Sequence, residues 1–188
     1  MKNYITIKNL IKFLSIILFA ITVNSCQRDM DAEEDDIPQE EITNIILNVK
    51  DIEAGTTKSY NYIIGSESPT IILTNGKTYD VEAIFKNGYE DVTEEIKEAK
   101  DEHFLIFDFP KSDIHLTRED DEESTGKLGK VGLKTKWTVN NVSDSSTGLL
   151  ILSVIHDPIS ASEEKSGTSW GSAKGGETDS EARYFLSH

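Results

Sequence analysis

The chain has 188 residues, with 34 acidic against 19 basic side chains and a formal net charge of −15 at pH 7. So acidic a surface repels polynucleotides and anionic headgroups, which excludes nucleic-acid binding. A single cysteine excludes intramolecular disulfides, so any folded part must be held by its core alone.

At the N-terminus, Lys2, Lys8 and Lys12 precede the apolar run Phe13–Val23 and the small-residue approach Val23-Asn24-Ser25-Cys26. A basic segment, a short apolar stretch and a small-residue cleavage site make a secretory signal. The apolar run is too short to cross a bilayer, where a helix needs roughly 20 residues. Cys26 stands where a bacterial lipobox places its lipidated cysteine, so residues 1–25 read as a lipoprotein signal peptide. Two alternatives remain: an ordinary cleaved signal that leaves Cys26 as a free thiol, and an uncleaved N-terminal anchor. A diacylglycerol on Cys26 with a further palmitate-type chain gives the second attachment that firm anchoring needs. Processing removes three lysines and no acid, leaving a net charge of about −18.

Residues 26–41 are dominated by acids and read as a disordered tether. An acidic stretch directly after the lipidated cysteine resembles the surface-export signal of Bacteroidota-type lipoproteins. It points to an outer-membrane lipoprotein displayed on the cell surface.

Residues 42–188 are long enough for one domain with a single core. Ile42–Val49 alternates as a half-buried strand, and Ser59–Ile64 and Thr70–Leu73 follow between glycine and proline breaks. Asn75-Gly76 predicts a hairpin turn into Thr78–Phe85, where Tyr79, Val81, Ala83 and Phe85 share one face. A short helix is expected from Asp91 or Thr93 to Lys100, with Glu94 and Glu95 in its first turn. Strand composition returns at Phe104–Phe109, turns at Pro110–Asp113 and resumes at Ile114–Thr117. Beyond the acidic loop 118–126 come Gly132–Val139, Gly148–His156 and Glu181–Leu186. This pattern predicts an antiparallel immunoglobulin-like β-sandwich with one short helix, and Trp137 as a core residue.

Recognisable catalytic signatures are missing: no nucleophile elbow, no His-Glu-x-x-His helix, no phosphate-binding glycine loop. The expectation is a protein that is not an enzyme. Strand direction nevertheless brings certain donors together. His156 ends one strand, and the next strand to follow begins after Gly175-Gly176-Glu177-Thr178-Asp179. If the two are antiparallel neighbours, His156, Glu177 and Asp179 share one end of the sandwich. A hairpin at Pro110–Asp113 would add His103. Two imidazoles with carboxylates suit zinc or another divalent first-row metal. Equally, His103 and His156 can be capping residues and the Gly-Gly-Glu-Thr-Asp run a plain turn. The acids 119–123 lack the spacing of a calcium loop.

These same segments resemble those of a group of small Bacteroidota-type lipoproteins. The matching elements are Asp91–Glu98 running into Asp101-Glu102-His103-Phe104, then Gly132-Leu133, Ile155-His156-Asp157-Pro158 and Gly175–Asp179. The resemblance covers roughly residues 42–179 and implies association with outer-membrane receptors that import scarce nutrients. The functional expectation is a lipid-anchored binding protein that captures a metal or small ligand for an uptake receptor. The alternative is a structural or protein-interaction lipoprotein without a small-molecule site, using a sheet edge or the region of Trp170.

Overall fold

The computed structural model describes residues 41–143 and 148–188. The signal segment, Cys26 and nearly all of the tether lie outside the described residues. Pro38–His188 is one compact unit, and the buried core, from Ile42 to Leu186, lies within it. That unit therefore has what it needs to fold by itself. No helix among the described residues is long and apolar enough to cross a membrane.

The expected antiparallel β-sandwich with one short helix is present. The first sheet takes strands in the order β2 (Thr56–Ile63), β1 (Asn44–Asp51), β4 (Thr78–Asn87), β10 (Lys134–Asn141) and β7 (Asp113–Arg118). The short β5 (Glu90–Asp91) pairs with β4. The second sheet runs β12 (Ser160–Ser166), β13 (Ser169–Lys174), β6 (His103–Asp108), β11 (Gly148–His156), β14 (Glu177–Ser187) and β3 (Thr70–Ile72). Only its last pair, β14 with β3, is parallel. A two-stranded piece, β8 (Thr125–Gly126) with β9 (Gly129–Lys130), sits in the loop after β7.

Alternation decides which residues face inward. Tyr79, Val81, Ala83 and Phe85 of β4 are all buried, as are Leu150, Leu152 and Val154 of β11. Trp137 is fully buried and is met edge-on by Phe107 and Phe109, with ring centroids 6.3 and 5.4 Å away. Its indole N–H donates to Thr135 Oγ1 at 2.9 Å, so burial leaves no polar atom stranded. Across the sandwich, the buried Tyr184 hydroxyl donates to the Ile45 carbonyl at 2.7 Å.

Two expected hairpins are instead crossings between sheets. Asn75-Gly76 links β3 in one sheet to β4 in the other. Gly76 has the positive φ of 84° expected of a turn glycine, but Asn75 accepts from the Val142 N–H, which ties the crossing to β10. Pro110–Asp113 likewise carries the chain from β6 to β7, in the opposite sheet. Turn chemistry specifies a reversal of direction; which sheet receives the next strand is set by burial of its apolar face. The helix, α1 (Thr93–Glu98), is shorter than expected. The Asp91 carboxylate accepts from the Thr93 N–H at 3.0 Å, and Ile96 is buried.

The sheets are also joined by a buried cation. Arg118, at the end of β7, donates to the Leu105 carbonyl on β6 at 2.5 Å and to the Val131 carbonyl at 2.7 Å. Its guanidinium lies 4.3 Å over the Phe104 ring. Burial pushes its pKa down to about 10, with Asp120 pulling the other way, so it stays charged at neutral pH. Asp120 accepts from the Gly132 and Leu133 N–H groups and holds the returning loop over the arginine. Gly171, at φ 97°, leaves the space: a Cβ there would stand 2.7 Å from Arg118 Nη2. Replacing Arg118 with Ala strands these carbonyls and opens a cavity. Arg118→Ala should cost about 3–5 kcal/mol of stability, measured as a lowered urea midpoint at unchanged m-value.

Candidate functional site

Three strand ends of the second sheet meet at one corner. β6 begins at His103, β11 ends at His156 and β14 begins at Glu177; by register His156 lies between His103 and Glu177. The pairing of β11 with β14 then slips, from Ile155 opposite Thr178 to Val154 opposite Ser180, leaving Asp179 as the extra residue of a bulge. Bulges re-aim side chains. Here the bulge turns Asp179 inward: its side chain is 5% exposed, although Glu177 and Thr178 before it are open to solvent.

The imidazoles of His103 and His156 stack with centroids 5.0 Å apart and planes 12° from parallel. One Asp179 oxygen lies 3.5 Å from His103 Nε2 and the other 3.7 Å from His156 Nδ1. Glu102 adds a carboxylate 3.8 Å from His156 Nε2. His103 is buried, while the His156 side chain is about one-third exposed.

Backbone geometry holds the corner. Asp157 has φ 47°, in the left-handed region that few non-glycine residues adopt, and its N–H donates to the Glu102 carbonyl at 2.6 Å. That bond binds the exit of β11 to the entry of β6. Gly176, with φ 76°, passes so close to His156 and Pro158 that a Cβ would collide with the His156 carbonyl. Strain of this kind clusters at functional sites.

Both ring nitrogens of His103 face groups that only accept: the Ala99 carbonyl at Nδ1 and the Asp179 carboxylate at Nε2. Nδ1 lies 3.2 Å from the Ala99 carbonyl, which can only accept, and the tautomer that makes this hydrogen bond has its proton on Nδ1. In the neutral ring Nε2 is then a bare lone pair facing the Asp179 carboxylate. Two acceptors face one another, an arrangement that a cation between them stabilises, whether proton or metal. Burial holds the His103 pKa below its ordinary value; the Ala99 carbonyl opposes this, the His156 charge adds to it, and Asp179 and Glu102 oppose it. The proton is thus disfavoured at neutral pH. A histidine that gives one N–H to a backbone carbonyl and offers its other nitrogen is the usual form of a metal-ligating imidazole.

Of the four donors expected from the sequence, the structure brings together His103, His156 and Asp179. Glu177 is exposed at the rim, and no ion pair within 4 Å joins it to either imidazole among the described residues. Glu102, not foreseen, stands closer. The signal that could have found it is its place directly before His103, where the strand entry lies against the exit of β11. Near-parallel rings direct their lone pairs into separate planes. Accordingly, no group of three or more His, Cys, Asp or Glu among the described residues is already arranged to hold a metal ion. A turn of the more exposed His156 ring would be needed.

The remaining sequence candidates have structural roles. Asp121 caps the short 3-10 turn Glu122–Ser124, and Asp120 is buried beneath it. Trp170 is on β13 and not in a loop; its N–H donates to the Ile114 carbonyl at 2.8 Å and its ring meets His115 edge-on. Between β11 and β14, where no strand was expected, the chain forms the β12–β13 hairpin.

No family model matches this sequence, and neither a curated protein nor a solved structure matches it.

His103 titrates lower in the folded protein than in the unfolded chain, where an imidazole titrates near ~6.5. Between those two values the unfolded chain binds more protons, so stability falls as the pH drops. It is at its full value above the unfolded pKa and stops falling below the lowered folded one. Urea midpoints taken with a chelator from neutral to mildly acidic pH should decrease over that window. His103→Gln should flatten part of the slope.

Proposed function

We propose that the protein is a non-enzymatic, lipid-anchored binding domain that captures a divalent first-row metal ion, zinc foremost, for an outer-membrane uptake receptor. The observation that carries this reading is the placing of buried His103, with Nδ1 turned to a backbone carbonyl and Nε2 3.5 Å from the Asp179 carboxylate. Their spacing supports it. Ligands ~2.1 Å from a tetrahedral ion stand roughly 3.4 Å apart, close to the 3.5 and 3.7 Å between Asp179 and the two imidazoles. Once the His156 ring turns, His103, His156 and Asp179 supply three donors, the protein ligand number of a zinc site with an open fourth position.

Calorimetry on residues 38–188 should give one equivalent of zinc bound. His103→Ala, His156→Ala and Asp179→Ala should each lower affinity by more than about 100-fold, the upper end of outer-shell effects. Glu177→Ala should leave it nearly unchanged. Absence of heat with zinc, cobalt and iron(II) would end the metal reading.

The address rests on Cys26 and the acidic stretch behind it. Cys26→Ser in the full chain should move the protein from the membrane fraction to the soluble fraction. Retention in the membrane would instead indicate an uncleaved anchor.

One observation favours the competing reading of a protein-contact domain. On the outer face of the second sheet, Phe185 lies opposite Leu149 on β11 and beside Thr70 on β3, with Ile72 two residues further along β3; Phe185 and Ile72 are about half exposed. Trp170, whose N–H is bonded to β7, lies on β13, three strands away from β14 in the sheet order.

A further inference from the structure

The outer face of the first sheet forms an open groove of about 480 Å³, a volume within the range of small-ligand sites. Register fixes its floor in two rows. Asn48, Glu82 and Lys134 lie side by side on β1, β4 and β10; one pleat along, Lys50, Asp80 and Lys136 do the same. Their neighbours Val49, Val81 and Thr135 are buried, so the charged residues necessarily point outward.

Three features narrow what could lie there. Glu119 completes the rim, so three ammonium groups offset three carboxylates and the groove has no net charge, although the molecule as a whole is strongly acidic. An anionic ligand would be repelled by the whole, and a cationic one would gain nothing from this groove over the rest of the surface. No aromatic residue lines it, and its one aliphatic residue, Val81, faces the core. Flat apolar ligands have nothing to stack on.

Finally, not all of the charges are used internally. Lys136 pairs with Glu119 at 3.2 Å and Lys134 with Asp121 at 3.3 Å. Lys50 and Glu82, diagonal neighbours on adjacent strands, have no ion-pair partner among the described residues. Asn48 Oδ1 already accepts from the Ser59 hydroxyl, so what its side chain has left to offer a ligand in the groove is its amide N–H groups.

We infer that this face binds a neutral, polyhydroxylated ligand, an oligosaccharide, laid across β1, β4 and β10. Vicinal hydroxyls both donate and accept. They can give hydrogen bonds to Glu82 and Asp80 while taking them from Lys50, Lys136 and the Asn48 amide, with no net charge to neutralise. Binding without an aromatic platform is weak and depends on several sugar units acting together.

Isotope-labelled protein of residues 38–188 titrated with neutral hexasaccharides (α- and β-linked glucans, mannan and galactan fragments) tests this by amide shifts. At least one should produce saturable shifts confined to β1, β4 and β10, little altered by added salt. A Lys50→Ala, Glu82→Ala double variant, altered only at exposed positions, should bind it at least about tenfold more weakly. His103→Ala should bind it unchanged, which separates this groove from the metal corner. Absence of saturable shifts, shifts elsewhere, unchanged binding by the double variant, or tighter binding of a uronic-acid hexasaccharide would each overturn the inference.

Discussion

The sandwich depends on one charge placed where a charge is expensive. Arg118 is taken out of water between the sheets, and most of its compensation comes from backbone carbonyls: Leu105 on one sheet and Lys130 and Val131 on the loop that returns to the other. Its Nε has no hydrogen-bond partner among the described residues, so the compensation is incomplete. A buried ion rarely adds net stability over a well-packed apolar group. What it does here is specify geometry. Only one placement of the loop 119–133 supplies those carbonyls, and that loop packs against the region where α1 hands the chain to β6. Lys100 Nζ bonds to the Glu122 carbonyl, and Lys97 pairs with Glu123 at 2.7 Å. The position of His103 is therefore tied, through β6 and α1, to a cation lying deeper in the protein.

The corner itself combines two kinds of rigidity. Hydrogen-bonded strands fix the positions of His103 and His156, and two unusual backbone positions, Asp157 and Gly176, bring their chain segments closer than regular strands would. The bulge at Asp179 then supplies the carboxylate. In a regular β14, strict alternation would have sent Asp179 outward, to the exposed face it would then share with Glu181 and Arg183.

Much of this was legible from residue pattern. Alternation located most strands to within a few residues and identified the inward face of β4, because burial of every second side chain leaves a direct trace in the sequence. Strand direction was enough to place His156 beside Asp179. Three things left no such trace. Turn chemistry at Asn75-Gly76 and Pro110–Asp113 does not say whether the chain stays in its sheet. The hairpin β12–β13 is built mainly from serine, glutamate, lysine and glycine, with few strand-forming residues, and so it resembles a loop. Glu102 was hidden because its nearness to His156 follows from the pairing of His103 with His156 and the Asp157 N–H bond to the Glu102 carbonyl, both across a long separation in sequence. His103 joined the corner by direct pairing of β6 with β11; the hairpin count that first suggested its place was not the reason.

The place of β14 has a consequence in time. It lies between β11 and β3, late in the chain, yet it carries Asp179 and most of the second sheet's remaining pairing. Until it arrives, β11 has an open edge, the two imidazoles have no shared carboxylate and Tyr184 cannot reach Ile45. The corner therefore cannot exist before β14 has paired, and in the unfolded chain its histidines and carboxylates are separate side chains far apart in sequence.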